Sequence, residues 1–211
     1  MRKYRYISVA GTMGVGKTTL VKIIAKEFGH KPVLENFSAN PFLPKFYKDM
    51  RRWAFHSQMF FLKEKISQIR QISLMRETKI VQDTPIYEDV FSYAKAQKLL
   101  GNMSNDEWKL YFDFYKSFED DLIRPDRIIF LSASIEGIYQ RIAQRTRDYE
   151  VKKKKKEFLR YLKVLDGLNR GWIKNIKKKI KIVEIDTEHF DYVKNKKDKN
   201  NLIKMLKKYI I

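Results

Sequence analysis

Gly11-Thr12-Met13-Gly14-Val15-Gly16-Lys17-Thr18 satisfies the phosphate-binding pattern G-x-x-x-x-G-K-[ST] at every fixed position. The flanking residues supply the context the pattern needs. Tyr6-Ile7-Ser8-Val9-Ala10 before it is an apolar run of strand length, and Thr19 to Phe28 after it carries apolar residues at helical spacing. Glycines reach positive φ and put no Cβ in the way, so successive N–H groups can converge on one phosphate. The N-terminus of the following helix adds partial positive charge. Gly11, Thr12, Met13, Gly14, Val15, Gly16, Lys17, Thr18 and Thr19 are therefore the candidate nucleotide-binding residues. Lys17 would reach the terminal phosphates, and the Thr18 hydroxyl would be a ligand of Mg²⁺. The competing reading is a plain glycine turn between a strand and a helix.

Composition narrows the setting. A chain of 211 residues, 44% of them hydrophobic, suits one well-packed domain, residues 1–211, and is short for two. No cysteine occurs, which excludes disulfides and zinc-thiolate sites and suits a reducing compartment. There is no apolar stretch near the roughly 18 residues of a membrane span, and Met1-Arg2-Lys3-Tyr4-Arg5 is not a signal-peptide start. The expectation is a cytoplasmic protein without a membrane partner. A formal net charge of +20 could serve nucleic acid, anionic lipid or a phosphorylated small molecule. Residues 150–211 hold 20 Lys or Arg against 8 Asp or Glu, so 12 of the 20 excess charges lie there. Those lysines alternate with Ile and Asn rather than with arginines and aromatics, which argues against nucleic acid as the main partner.

Outward from the glycine loop, strand-like and helix-like segments alternate. Residues 31–35 read as a second strand delivering Glu35, 36–44 as a loop, and 46–70 as a long, aromatic-rich buried helix in which Gln58 is the polar exception. Residues 79–82 form a third strand ending in Asp83, and Thr84-Pro85 turns into a helix over 86–100 with Glu88 and Asp89 in its first turn. There a helix-dipole role competes with a site role for Glu88. Ser104 and Glu107 make a capping box for the next helix, to about 122. Residues 127–131 are a fourth strand, 135–147 a helix presenting Arg141, Arg145 and Arg147, 151–156 a lysine run, 158–172 a helix, 179–185 a fifth strand, 191–200 a polar loop and 201–211 a closing helix. Such alternation predicts an α/β P-loop NTPase fold: three layers, a five-stranded parallel sheet flanked by helices, and an arginine-rich lid at about 141–157. Ligands gather at the carboxyl ends of such strands.

No N-K-x-D guanine-reading motif follows the later strands, and no apolar run leads into Asp-Glu. What remains is a lone carboxylate after the second strand, an amide on a buried helix and an arginine cluster. Those suit a kinase, which needs a base for the acceptor hydroxyl, groups that read the acceptor, and cations over the moving phosphoryl.

From Ile7 to about Trp172 the chain resembles the deoxyribonucleoside kinase family of deoxyadenosine, deoxyguanosine and deoxycytidine kinases. The motifs run in the family's order: the glycine loop; Glu35; Asn40-Pro41-Phe42-Leu43 with Phe46-Tyr47; Trp53-Ala54-Phe55-His56-Ser57-Gln58; Asp83-Thr84-Pro85-Ile86-Tyr87-Glu88-Asp89; and Arg141 through Glu150. The resemblance implies transfer of the γ-phosphoryl of ATP to the 5′-hydroxyl of a deoxyribonucleoside, with Mg²⁺, in a homodimer built through helices 86–100 and 104–122. It implies Glu35 as general base, Gln58 reading the base edge, Tyr47 and Glu150 on the 3′-hydroxyl, Asp83 with Thr18 on Mg²⁺, Arg141, Arg145 and Arg147 as lid arginines, and Tyr93 as a ring against the nucleobase. The chain departs from the family where Thr84 replaces the usual Arg, leaving Lys65 as the basic group expected near Asp89. An ionised Asp89 would favour an exocyclic amino group, hence adenine or cytosine over thymine. A nucleoside monophosphate kinase of the thymidylate kinase kind and a kinase-fold binding subunit without turnover are the alternatives.

Overall fold

The computed structural model describes residues 5–75, 78–144, 155–188, 190–193 and 195–210. Five strands, β1 (Tyr6–Ala10), β2 (Lys31–Val33), β3 (Ile80–Asp83), β4 (Arg127–Ser132) and β5 (Lys181–Asp186), form one parallel sheet in the order β2-β3-β1-β4-β5. Successive side chains on a strand point to opposite faces. Ile7 and Val9 of β1, with Ile129 and Leu131 of β4, enter one buried cluster; Ala10, Ile128 and Phe130 enter another across the sheet. Both faces are therefore covered, and the strands read as unbroken apolar runs rather than alternating ones.

On the first face pack α1 (Lys17–Phe28), α7 (Ile135–Ala143), α8 (Lys155–Ile176) and α9 (Lys196–Ile210). Leu20, Val21 and Ile24 of α1 are fully buried, each contributing about 1.5–3 kcal/mol of transfer free energy. On the second face lie α2 (Leu43–Lys48), α3 (Met50–Leu74), α4 (Ile86–Glu88), a π-helical segment (Asp89–Ala94) and α6 (Asn105–Glu119). A short α5 (Lys95–Leu99) continues the π-helical segment. α6 opens with the expected capping box: Glu107 N–H donates to Ser104 Oγ at 3.1 Å, and Ser104 N–H to Glu107 Oε2 at 2.7 Å.

Several boundaries differ from the sequence reading. The single helix expected over 46–70 is two, broken at Asp49, whose backbone leaves the helical region (φ −143°, ψ 88°) and whose side chain accepts from Arg52 N–H. Asp is a strong N-cap, so it begins α3 rather than continuing α2. β2 pairs only as far as Val33, and α9 begins inside the expected 191–200 loop because Asn195 Oδ1 accepts from Lys197 and Asp198 N–H. The helix expected to 147 is described to Ala143. Arg145, Arg147, Glu150 and the lysine run to 154 lie outside the described residues.

Candidate active site

The carboxyl ends of β1, β2, β3 and β5 surround one cavity of about 790 Å³, within the roughly 300–1,000 Å³ usual for small-molecule sites. Met13 to Thr19, Arg141 and Tyr192 line the glycine-loop side; Glu35, Tyr47, Gln58 and Asp89 line the other, with Tyr93 between them, its hydroxyl 3.5 Å from Lys17 Nζ, and Asp83 also on the wall. Gly11 and Thr12 lie behind the wall, buried.

The glycine loop is held from behind by Tyr192, Asn169 and Glu88. Gly11 takes φ 139°, and a Cβ there would meet the Leu131 carbonyl; a Cβ on Gly16, at φ 112°, would collide with the Tyr192 hydroxyl. Only glycine meets both demands. Tyr192 donates to Gly16 O at 3.3 Å, and burial pushes its phenol up to about 12, so it remains a donor. Asn169 Nδ2 donates to Thr12 Oγ1 at 3.2 Å, and Asn169 Oδ1 accepts from Ser92 Oγ (2.6 Å) and Trp172 Nε1 (2.9 Å). Gly11 N–H donates to Glu88 Oε2 at 2.7 Å, and Lys17 Nζ pairs with Glu88 Oε1 at 2.9 Å.

The opposite end is built on Lys65, buried on α3. Its ammonium donates to Glu35 Oε1 at 3.0 Å, to the Asp83 carbonyl at 3.1 Å and to the Thr84 carbonyl at 2.8 Å; Asp89 Oδ2 lies 3.8 Å away. Burial raises the Glu35 carboxyl above its ordinary range against the opposing pull of Lys65, and raises Asp89 much further. Burial works against charge on Lys65 too, yet Glu35 and Asp89 together hold its proton affinity above the ordinary value. Gln58 is buried, borders the cavity and makes no side-chain hydrogen bond among the described residues.

Thr18 Oγ1 donates to Asp83 Oδ2 at 2.5 Å on the cavity wall. A hydroxyl beside one carboxylate is a hard-oxygen donor pair of the kind that takes Mg²⁺ together with substrate phosphates. Among the described residues there is no group of three His, Cys, Asp or Glu that would form a dedicated metal cage. The donors present fit Mg²⁺ carried in with a nucleotide.

Arg141 is the one of the three expected lid arginines that lies among the described residues. It borders the cavity, but its guanidinium donates to the Val15 carbonyl (3.3 Å) and to Thr187 Oγ1 (2.9 Å) and O (2.5 Å). It ties α7 to the loop after β5 as well as facing the ligand space. Sequence reasoning also understated Glu88, Lys65 and Asn169. Their signals were an adjacent acidic pair after Pro85, a lysine on the face of α3 that holds Gln58, and a lone amide among the apolar positions of α8.

Comparison with known proteins bears on the family and the fold. A family model described as deoxynucleoside kinase matches residues 7–211. The deoxyadenosine/deoxycytidine kinase of Bacillus subtilis (strain 168) is 32% identical over 203 residues, 95% of this chain and 91% of the relative. The deoxyguanosine kinase of the same organism is 29% identical over 209 residues, 98% of each. A solved structure of deoxyadenosine kinase from M. mycoides with bound dCTP superposes with a TM-score of 0.80 at 24% identity, covering 96% of this chain and 98% of that one, which shows the same fold.

Proposed function

The chain belongs to the deoxynucleoside kinase family, and from that premise we propose that its cavity joins ATP to the 5′-hydroxyl of a deoxyribonucleoside, with Glu35 as general base. The enzyme phosphorylates deoxynucleosides. One observation carries the assignment of roles: the Glu35 carboxylate and the Lys17-Thr18 end of the glycine loop line one and the same cavity. Glu35 accepts the proton of the 5′-hydroxyl as its oxygen attacks the γ-phosphorus of ATP in line; the bond from that phosphorus to the β-phosphate oxygen breaks, and ADP leaves as the phosphoryl joins the sugar. A carboxyl raised by burial is a stronger base than an ordinary one, which suits proton abstraction near neutral pH. Loop N–H groups and Lys17 balance charge on the phosphates. Thr18 and Asp83 would hold Mg²⁺, which neutralises the phosphate oxygens.

Gln58 and Asp89 read the base, with Tyr93 against its ring. Asp89 Oδ2 is buried without a hydrogen-bond partner; ionised beside Lys65, 3.8 Å away, it would accept from an amino-bearing base, adenine or cytosine, rather than thymine. Tyr47 and Glu150 would hold the 3′-hydroxyl, and Arg141, Arg145 and Arg147 would serve the donor phosphates. The acceptor end of the cavity is lined by no lysine or arginine among the described residues. That favours a nucleoside over a nucleoside monophosphate, whose phosphate would need a cation.

The test is ADP release with ATP and Mg²⁺ over deoxynucleosides and their monophosphates. Deoxyadenosine and deoxycytidine should exceed thymidine. Equal kcat/KM for thymidine would remove the base reading, and turnover of monophosphates alone would remove the acceptor reading.

Residues 1–211 are taken as one kinase domain with a lid at about 141–157, on the support of the single sheet that both cores share. A homodimer through the helices of 86–100 and 104–122 is supported by exposed Leu99 and Leu110 there. The lack of cysteine suits a reducing compartment, which supports a cytoplasmic location. Among the described residues no helix is long and apolar enough to cross a membrane.

A further inference from the structure

Glu88 has no solvent exposure and is absent from the cavity wall, whereas Lys17, its partner, is on that wall. The two side chains and Gly11 close a triangle. Glu88 Oε2 accepts from Gly11 N–H (2.7 Å), Glu88 Oε1 pairs with Lys17 Nζ (2.9 Å), and Lys17 Nζ donates to Gly11 O (2.5 Å). Tyr93 OH, 3.5 Å from Lys17 Nζ, stands at its edge. The next residue, Asp89, turns to the other end of the cavity, towards Lys65. One short turn after β3 thus supplies adjacent carboxyls to the two lysines, one at each end.

We propose that Glu88 is a positioning residue of the phosphate loop, acting on the triphosphate through Lys17 and the Gly11 amide. Lys17 is nearly buried, so its charge needs a fixed counter-charge to be retained and aimed. Glu88 is the carboxylate that supplies it. The same side chain fixes the first N–H of the loop, so a change at Glu88 moves the loop and its lysine together. A buried ion pair that only cements the fold would account for the contacts but not for an effect confined to one substrate.

The inference rests on the reading of the loop as the ATP site, and the experiment separates the two. Glu88→Gln keeps an acceptor for Gly11 and removes the charge. It should lower kcat/KM for ATP by about tenfold or more, as expected when a buried charge loses its partner. The Kd of the deoxynucleoside, measured without ATP, should stay within about twofold, because that end of the cavity keeps its own contacts. In a Lys17→Met background the same substitution should not weaken ATP binding further, because the residue through which it acts is gone. Unchanged ATP kinetics in a folded Glu88→Gln protein, or equal losses for ATP and nucleoside, would overturn the proposal. If Glu88→Gln alone does not fold, the double variant, in which neither charge is buried alone, decides. An ATP Kd many-fold weaker than that of Lys17→Met would count against it, and an equal Kd supports it. A wild-type protein that phosphorylates no nucleoside would instead sink the ATP-site reading itself.

Discussion

Lysine has three N–H donors, and at position 65 all three are engaged, by Glu35 and by the carbonyls of Asp83 and Thr84. Asp89 receives attraction but no hydrogen bond, which leaves its oxygen for a ligand. Thr84 takes φ 66°, a left-handed conformation that a β-branched residue adopts at a cost of about 1–3 kcal/mol. Its N–H donates to Val9 O at 3.0 Å and its carbonyl accepts from Lys65, and these contacts hold it there. Two outcomes follow at this scale. Glu35→Gln should lower kcat by about 10²–10⁴-fold with little change in nucleoside Kd; unchanged turnover would remove Glu35 as the base. Lys65→Met withdraws the cation that opposes the burial-raised proton affinity of Glu35. Loss of a nearby cation favours the neutral acid, so the acid limb of kcat/KM against pH should move to higher pH. A limb that stays in place or moves to lower pH would contradict the geometry.

Among the elements, the π-helical segment Asp89–Ala94 is the one that shapes the site. Such segments insert an extra residue into a turn and occur often at functional sites. Here Asp89 and Tyr93 reach the cavity while Ser92 turns back to Asn169. Asn169 then ties Ser92, Trp172 and Thr12, linking the π-helical segment and α8 to the glycine loop. Asn169→Leu deletes that link and leaves the Thr12 hydroxyl, buried in the protein, without its donor. Thermal or urea unfolding should register a loss of about 1–3 kcal/mol. A melting curve identical to wild type would mean that the link contributes nothing to the fold.

The whole molecule is a sheet buried on both faces, with one row of strand ends left to line the site. On the second face, α6 places Trp108 and Phe112 against its own core while Leu110 is 59% exposed, and Leu99 nearby is 60% exposed. Two large apolar side chains in water on neighbouring elements fit a covered surface in a dimer. Sedimentation should give twice the 25.4 kDa chain mass, and Leu110→Glu should shift the population to monomer without altering the melting of the sheet core. A monomeric wild type would discard the dimer.

The linear chain by itself determined the glycine loop, the five strands, their parallel pairing and the candidate acids, because each depends on local conformational limits and on apolar runs that must be buried. Asp83 and Glu35 were legible for the same reason: each follows a strand, and strand ends converge. The tertiary fold alone decided how the charges divide. Glu88 and Asp89 are neighbours in sequence yet turn to different lysines, Lys65 bonds a carboxyl 30 residues away and a backbone carbonyl 18 away, and Asn169 meets Thr12 across 157. Pairings of that range follow from which helices cover which face of the sheet, and from the cost of burying any charge or amide without a partner. No local pattern in the sequence encodes either.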